Sequence, residues 1–228
     1  SQTFWLTQDI MRQWLWEWID TAAQLGAGIN KVNINKKATF VEIGEEYVAS
    51  GWELDRMHRR FAVQSERFNS GHSTLYFKDF VEIRKTLNGA YRTILDSQST
   101  NWNKVCELEG FLGATQTRQR NFIKRFVKPE IGNGKKTAVL FIDALRYELG
   151  KELVEILEKE SFGKIKTDYL LAELPTITSV GMTALVSSSE NENMSPVFDA
   201  KKSSIRGFKI GERLVVDRDT RLKTLQEG

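Results

Sequence analysis

The chain has 228 residues, 40% of them hydrophobic and 28% charged, a balance that predicts one or two globular domains with real cores and excludes a disordered chain. No apolar run approaches the roughly 18 residues of a membrane span, no charged-then-apolar signal pattern opens the chain, and the single Cys106 excludes an intramolecular disulfide and a cysteine-built zinc site. The formal charge of +3 is too mild to argue for or against nucleic acid, and a soluble, cytoplasmic protein with no membrane partner is the simplest expectation.

Aromatic-rich sequence begins by Phe4 with no Met before it, and a periodic stretch runs up to Gly228; a fragment of a longer protein is expected. The first 130 residues read as a helical domain. "FWLTQDIMRQWLWEWIDTAAQLG" spaces Trp14, Trp18 and Ile19 near the helical period, with a predicted stop at Gly26. "EEYVASGWELDRMHRRFAVQSERF" repeats the pattern through Val48, Trp52, Phe61 and Phe68, although Gly51 costs about 1 kcal/mol inside a helix. "FKDFVEIRKTLNGAYRTILDS" adds a third helix. Residues 101–112 fit a short helix or a loop, and a further helix over about 117–128 is predicted to stop before Pro129.

"KPEIGNGKK", residues 128–136, breaks the periodicity with Pro129, Gly132 and Gly134 and sets the domain boundary. A second domain, 135–228, is expected beyond it. "TAVLFI" is a continuous apolar run, as in a strand covered on both faces. Leu145, Leu149, Leu153, Ile156 and Leu157 then share a helical stripe, "KIKTDYLLAEL" reads as a second strand, and "TSVGMTALV" as a second helix. The order strand, helix, strand, helix predicts a parallel α/β sheet with 138–142 as an internal strand, so the whole chain reads as α+β: a helical bundle followed by the first part of an α/β sheet.

In open α/β sheets ligands bind beyond the carboxyl ends of the strands. Asp143 follows the first strand there, and Thr176, Thr178 and Ser179 follow the second. A carboxylate and a hydroxyl at one edge suit a metal-assisted nucleophile acting on a phosphoryl group, and the amides opening the second helix would serve an anion. Taken one at a time, each residue is as well explained as a helix N-cap.

"VLFIDALRYELGKEL" followed by "LAELPTITSVGMTALV" resembles the opening of the PglZ domain, within the alkaline phosphatase superfamily, over about residues 137–190. "YVASGWELDRMHRRF" is similar to the region preceding that domain in the large, type A form. The resemblance implies a place in a phage-defence cluster of the bacteriophage exclusion type, with other defence proteins as partners. It implies a bimetal phosphate site, with zinc as the expected metal. In that site Asp143 is a metal ligand, and Thr178, the second of a Thr-x-Thr pair, is the catalytic nucleophile and also a metal ligand. Thr176 is the less favoured nucleophile. The remaining ligands of such a site, acids and histidines further along the chain, have no counterpart here. His58 and His72 lie in the helical region, and Asp217 and Asp219 in "LVVDRDTR" read as a turn or cap, so a fragment alone is expected to be inactive.

Arg146 and Glu148 lie in the matching block without an assigned role. The basic stretch 117–136, from Arg118 to Lys136, could face nucleic acid but reads better as a solvated face, and "SSSENENMSP", 187–196, as a surface connection. Two functions remain open: metal-dependent hydrolysis of a phosphoester through Thr178 in the full-length protein, or a non-catalytic assembly module of the defence complex.

Overall fold

The computed structural model describes residues 9–33, 39–70, 77–110, 118–160, 163–186, 194–199, 201 and 204–227. They fall into two compact units, one of Ser1–Phe111 with Tyr147–Glu152, the other of Leu112–Arg146 with Leu153–Gly228.

The first unit is built on helices α1 (Ile10–Lys31), α2 (Phe40–Glu46), α3 (Trp52–Ser70) and α4 (Phe77–Glu109). Local sequence starts two of them. Asp9 caps α1 by accepting from the amides of Met11 and Arg12, and Thr39 and Glu42 form a reciprocal capping box on α2. The predicted stripes then converge: Trp18 and Leu25 of α1 pack with Leu54, Phe61 and Phe68 of α3 and with Phe80 and Ile94 of α4. Trp18 is the hub, its ring 4.9 Å from Phe80 and 5.9 Å from Phe68. Its one polar atom, Nε1, donates to Ser65 Oγ at 3.0 Å, so the indole enters the core with its donor satisfied.

Glycines were misread here. Helix α1 does not stop at Gly26 but runs to Lys31. A Cβ on Gly28 would lie 2.7 Å from Met57 Sδ and 3.3 Å from Leu54 Cδ1, so this glycine serves the close approach of α1 to α3 rather than a terminus. Gly51 closes a π-helical turn, Tyr47–Gly51, that joins α2 to α3. The ambiguous residues after 101 continue α4 to Glu109, where Trp102 stacks 4.7 Å from Phe40.

The second unit opens with a 3-10 turn, Gln119–Asn121, a π turn, Ile123–Val127, and helix α5 (Lys128–Gly132). Pro129 falls in the first turn of α5, where its missing N–H removes no hydrogen bond; helical backbone therefore passes the predicted stop and ends at Gly134, with φ +75°. Helix α6 (Tyr147–Lys159), whose residues Tyr147–Glu152 fall in the first unit, follows, then α7 (Thr178–Val186), strands β1 (Met194–Asp199), β2 (Ser204–Ile210) and β3 (Arg213–Val215), and α8 (Arg218–Glu227). The strands form an antiparallel sheet in the order β1-β2-β3. Helix α7 packs on β2 and α8, burying Val180, Thr183, Ala184 and Val186. Gly207 of β2 is required sterically, since a Cβ there would meet the Val215 carbonyl oxygen at 2.4 Å.

The chain is thus α+β, with the helical region first, but the expected parallel sheet is corrected: the sheet among the described residues is antiparallel and late in the chain. Residues 135–142 lie outside any helix or strand, and Val139, Leu140 and Ile142 are 37%, 80% and 52% exposed. The second expected strand has a single parallel bridge, Leu171 to Arg118. An apolar run fits burial on two faces, but a strand also needs neighbours, and among the described residues none lies beside 138–142. No helix among them is long and apolar enough to cross a membrane.

Candidate functional site

Asp143 begins a tight turn after the irregular run 135–142. The next residue, Ala144, has φ +57°, a left-handed conformation that non-glycine residues adopt at a cost. The turn aims the Ala144 amide at Asp143 Oδ1, 3.0 Å away. Thr178 opens helix α7 after a tight turn in which the Ile177 amide donates to the Pro175 carbonyl at 2.8 Å. The Thr178 hydroxyl donates to Asp143 Oδ2 at 3.0 Å. Thirty-five residues apart in sequence, the two candidate residues meet side chain to side chain, and both are exposed.

Helix capping does not account for either residue. The N-cap of α6 is Arg146, with no side-chain cap bond, and Asp143 lies three residues before it. The Thr178 hydroxyl gives its hydrogen to a carboxylate rather than accepting from the amides of α7. Thr176 is exposed nearby in sequence and Ser179 half-buried.

Sequence reasoning missed Glu173, five residues before Thr178. It is 3% exposed and gripped by two guanidinium groups. Arg118 Nε and Nη2 reach its two oxygens at 3.0 and 2.6 Å, and Arg120 Nε and Nη2 at 2.8 and 3.0 Å. Burial raises the Glu173 pKa, but the bonds from Arg120 and Arg118 outweigh it and hold the carboxyl below its usual value. Gln119 completes the junction: its amide donates to the Leu171 carbonyl at 2.9 Å, and its side-chain oxygen accepts from the Glu173 amide at 3.2 Å. A lone acid in the apolar "YLLAELP", with arginines two residues apart in "RQR", was the available signal; nothing in the sequence links segments 53–55 residues apart.

In the basic stretch Arg118 and Arg120 are spent on Glu173, Arg125 reaches Asp168 at 3.4 Å and Lys135 reaches Glu130 at 2.5 Å, while Lys124, Arg125, Lys128, Lys135 and Lys136 are exposed, as on a solvated face. The other candidates have structural places. His58 stacks on Tyr91 at 3.9 Å and pairs with Asn88 at 3.0 Å, beside a groove of about 640 Å³ between α3 and α4. Tyr91 and Tyr47 both donate to Asp55. Glu148 is buried against Arg59, with Nε 3.8 Å away, and Arg59 and Arg60 both bind Glu152. Asp217 Oδ1 accepts from the Thr220 amide and hydroxyl at 2.9 and 2.8 Å, which lowers its pKa and makes it the start signal of α8; Asp219 lies in that helix's first turn. His72 lies outside the described residues, as do 187–193 of the predicted surface connection, whose end, from Met194, is β1.

Toward the divalent metal that the resemblance implies, Asp143 and Thr178 supply one carboxylate and one hydroxyl. Among the described residues no group of three or more His, Cys, Asp or Glu could hold an ion, whereas zinc takes four ligands and magnesium or calcium six or more. The described residues alone do not fit a bound cation.

Residues 122–209, which contain Asp143, Glu173 and Thr178, match the family described as the BREX system PglZ alkaline phosphatase-like domain. The alkaline phosphatase-like protein BrxZ of Escherichia coli O9:H4 (strain HS) is 38% identical over 94 residues, 39% of this chain and 11% of that protein. The alkaline phosphatase-like protein PglZ of Bacillus cereus (strain H3081.97) is 26% identical over 171 residues, 72% of this chain and 19% of that protein. The chain thus spans well under a quarter of the length of either relative. No solved structure gives a significant match. Over residues 122–209, the chain is therefore similar to the PglZ alkaline phosphatase-like domains.

Proposed function

We propose that this chain is part of a phosphoester hydrolase of bacterial phage defence in which Thr178 is the nucleophile and Asp143 its carboxylate partner. The observation that carries the reading is the 3.0 Å bond from Thr178 Oγ1 to Asp143 Oδ2, inside the segment matched by the family. By accepting the hydroxyl hydrogen, Asp143 fixes the rotamer of Thr178 and leaves the oxygen lone pairs for attack on phosphorus. A bond from Thr178 Oγ1 to phosphorus forms as the bond to the leaving oxygen breaks, the hydroxyl proton passing through Asp143 to the departing alcohol; water then attacks phosphorus, the bond from phosphorus to Oγ1 breaks, and a proton of that water returns to Thr178. Asp143 and Thr178 are also the residues that would contribute to a metal site, zinc being the metal expected, with the other ligands supplied from beyond the described residues. The domain limits proposed with this reading are 1–130 for the helical domain and 135–228 for the PglZ part.

The competing reading, a non-catalytic assembly module among defence proteins, is favoured by one observation: the apolar run at Val139, Leu140 and Ile142 is exposed, as a surface that binds another protein would be. The two readings separate on the full-length protein. Thr178→Ala is expected to abolish hydrolysis of a nitrophenyl phosphodiester, with zinc or manganese supplied, while its melting curve follows wild type. Thr178→Ser should retain part of the rate, and Asp143→Ala should lower both rate and metal content. Thr178→Ala hydrolysing as fast as wild type would remove Thr178 from the mechanism. An inert wild type whose phage defence survives Thr178→Ala would establish the assembly role.

A further inference from the structure

We infer that Glu173, held between Arg118 and Arg120, is a positioning residue that sets Thr178 against Asp143. The inference rests on Thr178 being the nucleophile. Its physical basis is the short path from clamp to hydroxyl. Glu173 is buried and receives four guanidinium bonds, the strongest class of side-chain hydrogen bond because donor and acceptor are both charged and paired in a planar fork. Its backbone is held separately, by the Gln119 side chain on the Glu173 amide and by the Leu171 carbonyl on the Gln119 amide. From that anchor the chain has Leu174, Pro175 and Thr176 before Ile177, whose amide closes on the Pro175 carbonyl and whose carbonyl accepts from Val180 and Gly181 to start α7.

Helix α7 itself is also constrained. Val180 and Ala184 are 1% and 0% exposed, and a Cβ on Gly181 would lie 3.4 Å from Gln119 Nε2. One side chain, Gln119, therefore touches both the clamp and the helix that carries Thr178. Thr178 itself is exposed and has one side-chain bond, to Asp143; its place is fixed by the segments on either side of it. Two arginines on one carboxylate also make the clamp directional: each guanidinium reaches both oxygens, so the carboxylate cannot rotate without breaking bonds on both sides.

The test uses the full-length protein with Glu173→Gln, Glu173→Asp, Arg118→Lys, Arg120→Lys and Thr178→Ala. Glu173→Gln keeps the shape of the side chain and removes the charge. It is expected to lower kcat for a nitrophenyl phosphodiester by on the order of 10–100-fold, the scale of a nucleophile displaced by about 1 Å, with KM changed less than about twofold. Glu173→Asp, which keeps the charge, is expected to recover part of kcat. If Glu173→Gln does not fold, the arginine variants carry the same test, since each keeps a positive charge but loses the planar fork. Crystal structures provide a readout independent of turnover: in Glu173→Gln the Thr178–Asp143 pair is expected to separate beyond hydrogen-bond distance. An unchanged pair, or an unchanged kcat in all the clamp variants while Thr178→Ala is dead, overturns the positioning role alone. A fully active Thr178→Ala overturns the nucleophile reading on which it stands.

Discussion

The Ala144 backbone is where the geometry of the candidate site costs most per residue. Its φ of +57° places a Cβ in the left-handed region, at about 1–2 kcal/mol, while its amide holds Asp143 Oδ1 at 3.0 Å. Ala144→Gly relieves that strain, but glycine adds about 0.4–1 kcal/mol of unfolded-chain entropy. The relief exceeds the cost by about 0–1.6 kcal/mol, and a melting temperature at or slightly above wild type is expected. Ala144→Val cannot adopt the turn without greater strain and is expected to destabilise by about 1–3 kcal/mol; a valine variant that melts like wild type would show that the turn does not need this conformation. At this scale the sequence was informative where position within a short block decides the chemistry. The apolar run marks Asp143, and the proline marks Thr176, Thr178 and Ser179 together; the PglZ resemblance is what selects Thr178, whose hydroxyl lies 3.0 Å from Asp143. The left-handed turn left no trace, because an alanine carries no signal for it, and Glu173 was invisible because its partners lie 53–55 residues away.

Elements were legible where one face is buried against a neighbour at the same period. The stripes containing Trp18, Phe61 and Phe80 all end in one core, and the exceptions among the helices trace to glycine and proline, whose sequence meaning depends on what packs against them: Gly28 at a helix crossing, Pro129 in a first turn. Strands were less legible. Residues 138–142 have the composition of an internal strand but are mostly exposed and lie outside any strand, whereas "SIRGFKI", carrying a glycine, is the central strand of the sheet, because pairing is decided by segments distant in sequence. The clamp that ties residues 118–120 to 171–173 supplies the element-scale prediction. Glu173 has its pKa lowered by folding, so the folded state binds fewer protons near that pKa than the unfolded chain. The clamp therefore contributes its full stability above the unfolded value, near 4.5, and loses it as pH falls through the lower folded value. Amide hydrogen exchange in α7 is the suitable probe, since every tryptophan lies at or before Trp102, where fluorescence would report the other unit. Protection in wild type is expected to fall steeply below about pH 4.5. Glu173→Gln should be less protected at neutral pH and show a shallower decline, with the remaining slope including that of Asp217, whose pKa is also lowered. Parallel pH profiles for the two proteins would contradict the clamp's part in stability.

For the whole molecule, what decides between catalysis and assembly is how many ligands a phosphate site can collect. The described residues bring together a carboxylate and a hydroxyl but no third group of metal-binding type, and the chain aligns with 11% and 19% of its relatives' lengths. An ion held by two protein donors keeps most of its water and exchanges quickly, because affinity grows with the number and charge of fixed ligands. The 228-residue chain alone is accordingly expected to retain well under one zinc per molecule after dialysis, measured by elemental analysis, and to leave a nitrophenyl phosphodiester intact. Added zinc should raise its melting temperature little, because stabilisation by a ligand requires concentrations above its dissociation constant. The full-length protein should differ in all three respects if the remaining ligands come from its other segments, and Asp143→Ala should then reduce its bound metal. Stoichiometric zinc with turnover in the 228-residue chain would mean that the described pair is supplemented from within these residues. Metal bound by the full-length protein but unaffected by Asp143→Ala would place the ion elsewhere and separate this carboxylate from metal binding, while leaving its hydrogen bond to Thr178 to be judged by the rate alone.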